Sequence, residues 1–235
     1  MSDIKQRAKN AMIGLAIGDS ISWTSMFHRS VLLPPWTRRI RREIDAASEF
    51  TNVILTPMPF SLNQPAKYFN ISPTDETEWA AFSAEFLLSE KFGLYEQRLL
   101  DEWTKLAKSQ SPIRGGVSTQ AAINNLRNGF KPPQSGKQNP HYFDDGAMSR
   151  AVPIGIICTG QPETAARLAE IDATVTNSED GVWAAQAMAV VISLICVGQS
   201  INESINEAYK YLPESSWIRR TVDEAMSLVE KNDSV

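Results

Sequence analysis

Three short segments of this 235-residue chain gather side chains that can do chemistry. The first is Ser72-Pro73-Thr74-Asp75-Glu76-Thr77, which sets a hydroxyl and two consecutive carboxylates at the entrance of a helical stretch. These are hard oxygen donors of the kind magnesium takes. The same residues also suit an ordinary helix start: Ser72 or Thr74 can cap it, Pro73 fits its first position, and acids in the first turn complement the helix dipole. The second segment, Gly14-Leu15-Ala16-Ile17-Gly18-Asp19-Ser20, reads as the small-residue end of a helix that delivers Asp19 beside a long loop. A glycine-terminated helix, with Asp19 capping the next element, accounts for it equally. The third runs from Asp144 to Gly155, where Asp144, Asp145 and Gly146 precede a helix of small residues. Backbone N–H groups at such an entrance can hold a phosphate, although two neighbouring acids oppose the anion.

Other reactive types are sparse. His28 and His141 are the two histidines, too isolated for a zinc site or a Ser-His-Asp triad. Cys158 and Cys196 lie in apolar runs without C-x-x-C spacing, so they are expected to be buried thiols in a reducing cytoplasm. With 23 basic and 27 acidic residues the net charge is -4, which gives no global pull toward nucleic acid or an anionic membrane. The one basic cluster, Arg38, Arg39, Arg41 and Arg42, is followed by Glu43 and Asp45 and reads as a solvated helix face, with a phosphate-facing patch as the alternative. The N-terminus carries no secretory signal pattern.

The elements that must position these groups are helical. Apolar residues recur three or four apart at Ile4, Ala8, Ala11, Met12, Leu15 and Ala16, predicting a helix over 4–17 with that face buried. Trp79, Phe82, Phe86 and Leu87 form the stripe of a second helix over 75–91. Further helices are expected over 95–109, 117–128, 146–158, 162–176, 179–197, 201–211 and 216–229. The apolar run 181–197 is interrupted by Gln186 and Ser193 and is shorter than the ~20 residues a bilayer needs, so it reads as a core helix. No strand-length alternation occurs beyond a weak one at 52–55, and the class is therefore all-α. Loops are expected over 21–36, 51–73 and 130–145. Long loops in a helical domain often line a site, and Trp23, Phe27, Trp36, Tyr68, Phe69, Tyr142 and Phe143 are their aromatics, available to stack on a base or to pack in the core.

In order and spacing the three segments resemble the ADP-ribosylglycohydrolase family, of the dinitrogenase-reductase-activating glycohydrolase type. Gly14 through Ser20 is similar to its Gly-Leu-Ala-x-Gly-Asp-Ala-Leu-Gly helix end, Thr74-Asp75-Glu76-Thr77 to its Thr-Asp-Asp-Thr motif, and Asp144 through Gly155 to its Gly-Asn-Gly-Ala-x-Met-Arg-x-x-Pro-Ile-Gly pattern, with Arg150, Pro153 and Gly155 aligned. The resemblance runs over nearly the whole chain. It implies a compact orthogonal multi-helix bundle, one domain over 1–235, holding two magnesium ions, or manganese in some members. The implied reaction is hydrolysis of the bond between ADP-ribose, or a related nucleotide-sugar, and an acceptor side chain. By position Thr74, Asp75 and Glu76 would be metal ligands, Asp75, Glu76 and Asp19 would serve catalysis, and Asp145, Gly146, Ala147 and Met148 would lie along the ADP-ribose. A bond breaking with oxocarbenium character needs nearby negative charge and an oriented water, which agrees with these residue types.

The departures from the pattern carry their own expectations. No Asp-x-Asp-Thr follows Val197, so the fold is expected to lack its C-terminal helices and part of its metal set. Glu76 replaces an aspartate, and no acid occurs between Trp23 and Phe27, leaving Glu43 or Glu49 to substitute. Asn177 stands where a histidine is usual. Two other readings remain: a binder that recognises ADP-ribose without cutting it, and an assembly in which a second copy or another chain completes the fold.

Overall fold

The computed structural model describes residues 2–27, 73–89, 95–111 and 113–231. Among them lie ten α-helices and no strand, in agreement with the all-α expectation. In order these are α1 (Ser2–Phe27), α2 (Asp75–Ser89), α3 (Tyr95–Lys108), α4 (Val117–Arg127), the single turn α5 (Gln134–Lys137), α6 (Gly146–Ile157), α7 (Pro162–Ala173), α8 (Asp180–Val197), α9 (Ile201–Ala208) and α10 (Trp217–Lys231), with a 3₁₀ turn at Tyr209–Tyr211. The packing divides the chain into two units, one of Met1–Leu15 with Asp75–Val235, the other of Ala16–Thr74.

In the larger unit α8 is the hub, and α6, α7 and α9 all pack on it while α2 packs on α6. Its sequence explains this: Ala184, Ala185, Ala189 and Val190 leave little side chain between helices and are all buried. α8 alone among the described helices is long and apolar enough to cross a membrane, and here it forms the floor for its neighbours. It stops at Gly198, whose left-handed φ of 107° closes the last turn. α6 approaches α8 most tightly at Gly155, where an added Cβ would meet the Ala189 carbonyl at 2.6 Å and Ile192 Cβ at 2.7 Å.

An aromatic cluster joins α2 to α3. Trp79 and Trp103 stack with centroids 4.9 Å apart and 7° between planes. Phe82 meets both edge-on at 5.5 and 5.6 Å. The expected stripe on α2 is therefore the one that faces the core, and such pairs add to simple area burial. Cys158 and Cys196 are buried and unpaired, and burial raises both thiol pKa values.

Four expectations need correction. α1 does not end at Gly18 but continues to Phe27, and Ser20 Oγ bonds back to the Ala16 carbonyl at 2.6 Å. Glycine weakens a helix by roughly 1 kcal/mol without terminating it, and no proline follows closely. The loop expected over 21–36 is thus helical as far as Phe27. The apolar face of α1 is only partly covered, with Ile4 40% exposed, because periodicity marks which face is apolar and not how much packs on it. α7 ends at Ala173, three residues early: Thr174, Val175 and Thr176 are β-branched, and Val175 and Thr176 switch to bonds three residues back, to Asp172 and Ala173. Finally, the loop over 130–145 contains α5. Arg38 to Arg42, Glu43, Glu49, the weak alternation at 52–55, Trp36, Tyr68, Phe69, Ser72 and His28 lie outside the described residues.

Candidate active site

In the smaller unit Thr74 is held by Asp19 at two points. Its backbone N–H donates to Asp19 Oδ2 at 2.7 Å, and its hydroxyl donates to Asp19 Oδ1. Thr74 is 4% exposed. A threonine has one hydroxyl proton, so once that proton is given to a carboxylate the oxygen can offer only lone pairs to a third group. This brings together two residues of the first and second sequence segments, 55 positions apart. Asp75 and Glu76 follow in sequence and belong to the larger unit, half-buried in the first turn of α2, with Glu78 beyond them.

In the larger unit a cleft of about 490 Å³ is lined by the loop before α6, the starts of α6 and α8, and the start of α10. Asp144, Asp145 and Met148 of the third segment line it, with Tyr142 and Phe143. Ala147, by contrast, turns into the core at 1% exposure. Gly146 gives its N–H to Asp144 Oδ1 at 3.2 Å, and Met148 gives its N–H to the Asp145 carbonyl at 2.8 Å. Two of the first-turn donors that a phosphate would need are thus already engaged.

The rest of this cleft's lining was not legible in the motifs. Glu179, Asp180 and Ala184 come from α8 and its entrance, and Trp217, Ile218 and Thr221 from α10. Trp217 is 76% exposed, yet the backbone around it is well anchored. Ser216 Oγ accepts from the Arg219 N–H at 3.1 Å, and Asp180 Oδ1 accepts from the Ile218 N–H at 2.8 Å. The only signal in the sequence was a serine ahead of a helix with one apolar face, which says nothing about where that helix docks. Glu179 takes a φ of 50° at the cleft rim, a conformation that costs a non-glycine residue energy and tends to accompany functional sites. Among the described lining residues four are acidic and none is basic. A larger groove of about 950 Å³ runs past Phe82, Glu85, Arg98, Asp101 and Lys105. Its charges are of both signs and none of the three motifs reaches it, so the smaller cleft is the better candidate.

Below the cleft lies a buried ion pair. Arg150 Nε donates to Asp172 Oδ2 at 2.6 Å, with the side chains 0% and 2% exposed. Arg150 Nη1 donates to the Gly146 carbonyl at 3.3 Å, and the guanidinium sits 5.1 Å from the Trp103 ring. The arginine of the third motif is therefore a structural tie between α6, α7 and α3. Burial, and then the Asp172 carboxylate, push the Tyr95 phenol far above its ordinary value. Asn139 is a second tie: its Nδ2 donates to the carbonyls of Ser118 and Thr176 at 2.8 and 2.7 Å, and its Oδ1 accepts from the His141 N–H at 2.9 Å. His141 itself stacks on Phe143 at 6.0 Å.

Among the described residues no group of three or more His, Cys, Asp and Glu side chains forms a metal cluster. The donor set at Thr74, Asp75 and Glu76 is nevertheless of the right chemistry for one magnesium, which binds through one or two carboxylates and keeps several waters. A family model described as ADP-ribosylglycohydrolase matches residues 1–235. No curated protein and no solved structure matches the chain.

Proposed function

The chain belongs to the ADP-ribosylglycohydrolase family, and on that premise we propose that it hydrolyses the glycosidic bond between ADP-ribose, or a related nucleotide-sugar, and an acceptor, with magnesium held by Thr74, Asp75 and Glu76. Glycohydrolase chemistry in general follows from the family, while the metal and the substrate are the proposal. One observation carries it: the pair of hydrogen bonds from Thr74 to Asp19, which leaves the threonine oxygen with lone pairs alone. A partner that orients a ligand in this way is a regular feature of metal sites.

Bound there, magnesium would supply a more acidic, oriented water. The chain's own residues do the rest. Asp19 fixes the Thr74 hydroxyl, and Asp75 and Glu76 bring negative charge to a bond that breaks with oxocarbenium character. Along the cleft Phe143 and Trp217 offer exposed ring faces for a base, and Met148 adds an apolar surface to the lining. The absence of a basic side chain among the described lining residues argues that a pyrophosphate entering the cleft needs a cation as partner.

A second reading, recognition of ADP-ribose without cleavage, is favoured by the described residues' holding no group of three or more carboxylate, imidazole or thiol side chains placed to bind one metal. Two buried, unpaired thiols suit a reducing compartment such as the cytoplasm. Calorimetric titration of Mg²⁺ into the protein and into Asp75→Asn, followed by release of ADP-ribose from a modified acceptor, tests the proposal. Binding that vanishes in the variant together with turnover in the wild type is the expected result. Binding of ADP-ribose with no turnover on any acceptor would establish the second reading, and no metal binding at all would remove the first.

A further inference from the structure

We infer that Asn177 is a positioning residue for the cleft: its side-chain amide, oriented from the buried Arg150 through Thr176, fixes the 142–144 loop and the Asp144 carboxylate so that Phe143 and Asp144 face the ligand. This rests on the reading that the cleft receives ADP-ribose.

An arginine side chain has donors and no acceptor, so Arg150 sets the direction of the bonds around it. Arg150 Nη2 donates to Thr176 Oγ1 at 2.8 Å. That hydroxyl passes its own proton to Asn177 Oδ1 at 2.6 Å. The amide nitrogen is then directed to the other side, where three acceptors wait: the Tyr142 carbonyl at 3.2 Å, the Asp144 carbonyl at 3.0 Å and Asp144 Oδ1 at 2.9 Å. A flipped amide would set oxygen against three oxygens, so its orientation is unambiguous. The polar chain thus runs in one direction from Arg150 through Thr176 and Asn177 to Asp144, with Arg150 donating on its other side to Asp172, and Asp172, Arg150, Thr176 and Asn177 are at most 2% exposed. In such surroundings each bond strengthens the next and an unmade one is costly.

Packing closes the arrangement. A Cβ on Gly181 would lie 2.7 Å from Asn177 Nδ2 and 2.8 Å from both the Asp144 and Tyr142 carbonyls. The Ser178 N–H donates to the same Tyr142 carbonyl at 2.9 Å. A neutral imidazole, the family's usual group at this position, has one donor and one acceptor on its ring and cannot give two protons to the loop while accepting from Thr176.

Asn177→Asp keeps the size and turns the donor into an acceptor. Without any ligand, amide hydrogen exchange in residues 142–146 is expected to speed up about tenfold or more while the α8 amides keep their protection. With ADP-ribose, calorimetry is expected to show Kd rising about tenfold, and in a Phe143→Ala background the same substitution should change Kd less than about twofold, because the two act through one loop. Unchanged loop exchange, or effects on Kd that simply add, would overturn the inference. If the variant does not fold, Thr176→Val removes the orienting hydroxyl at equal volume and is read the same way. Wild-type protein that binds no ADP-ribose would count against the proposed function, and the ligand-free exchange experiment would still decide whether Asn177 holds the loop.

Discussion

Arg150 and Asp172 meet with neither side chain open to water, and the guanidinium also serves Thr176 and the Gly146 carbonyl. Removing one partner of such a pair leaves the other buried and uncompensated. Arg150→Met is therefore expected to cost about 3–5 kcal/mol, and adding Asp172→Leu to recover a large part of it; urea unfolding of the single and double variants checks this. Tyr95 belongs to the same neighbourhood. Its phenol is held above the ordinary value of 10.0, first by burial and then by Asp172, so the folded chain keeps a proton that the unfolded chain loses. Stability must then fall as pH rises past about 10, by up to about 1.4 kcal/mol per pH unit. Tyr95→Phe should flatten that alkaline limb in urea midpoints taken across the range. At this scale the sequence showed Asp19, Thr74 and Asp145 as chemical groups, but the pairing of Asp19 with Thr74 spans 55 positions and came from the structure alone.

Helix boundaries were legible wherever a local rule ended them. α2, α4, α6 and α8 lie within two residues of their expected limits, because glycine, a polar turn or an acidic start decides each end locally. α1 and α7 deviated where the local rule was weak: a glycine that does not stop a helix, and a β-branched run that stops one early. Contacts between helices are another matter. The proximity of α6 and α8 depends on Gly155, and nothing in the sequence told that glycine from Gly14 or Gly18, whose added Cβ would meet nothing within 4 Å among the described residues. Gly155→Ala should force the Ala189 carbonyl or Ile192 to move and cost roughly 1–3 kcal/mol, whereas Gly14→Ala should be neutral or slightly stabilising. Thermal denaturation of the two variants side by side distinguishes close approach from simple propensity.

The cleft is assembled from the loop before α6, from α8 and from α10, which are far apart in sequence and share no motif. Trp217 is the clearest consequence. Its ring is exposed and contributes little to folding, so Trp217→Ala should shift the thermal midpoint by no more than about 2 °C. If a base stacks there, affinity for ADP-ribose should drop about tenfold, in line with the ~1–3 kcal/mol of base stacking; fluorescence or calorimetric titration reads both wild type and variant. The all-helical class, the helix-forming segments and the three ordered motifs were determined by the sequence itself, since periodicity, capping and residue spacing act over a few positions and survive without knowledge of the fold. Only the tertiary structure decided that Ala147 turns inward while Asp145 and Met148 turn to the cleft, that Asn177 holds the loop where an imidazole is usual, and that α10 joins the cleft's lining. The direction a side chain takes and the neighbour it meets depend on which helix packs against which, and that choice is made by shape across distances no local pattern encodes.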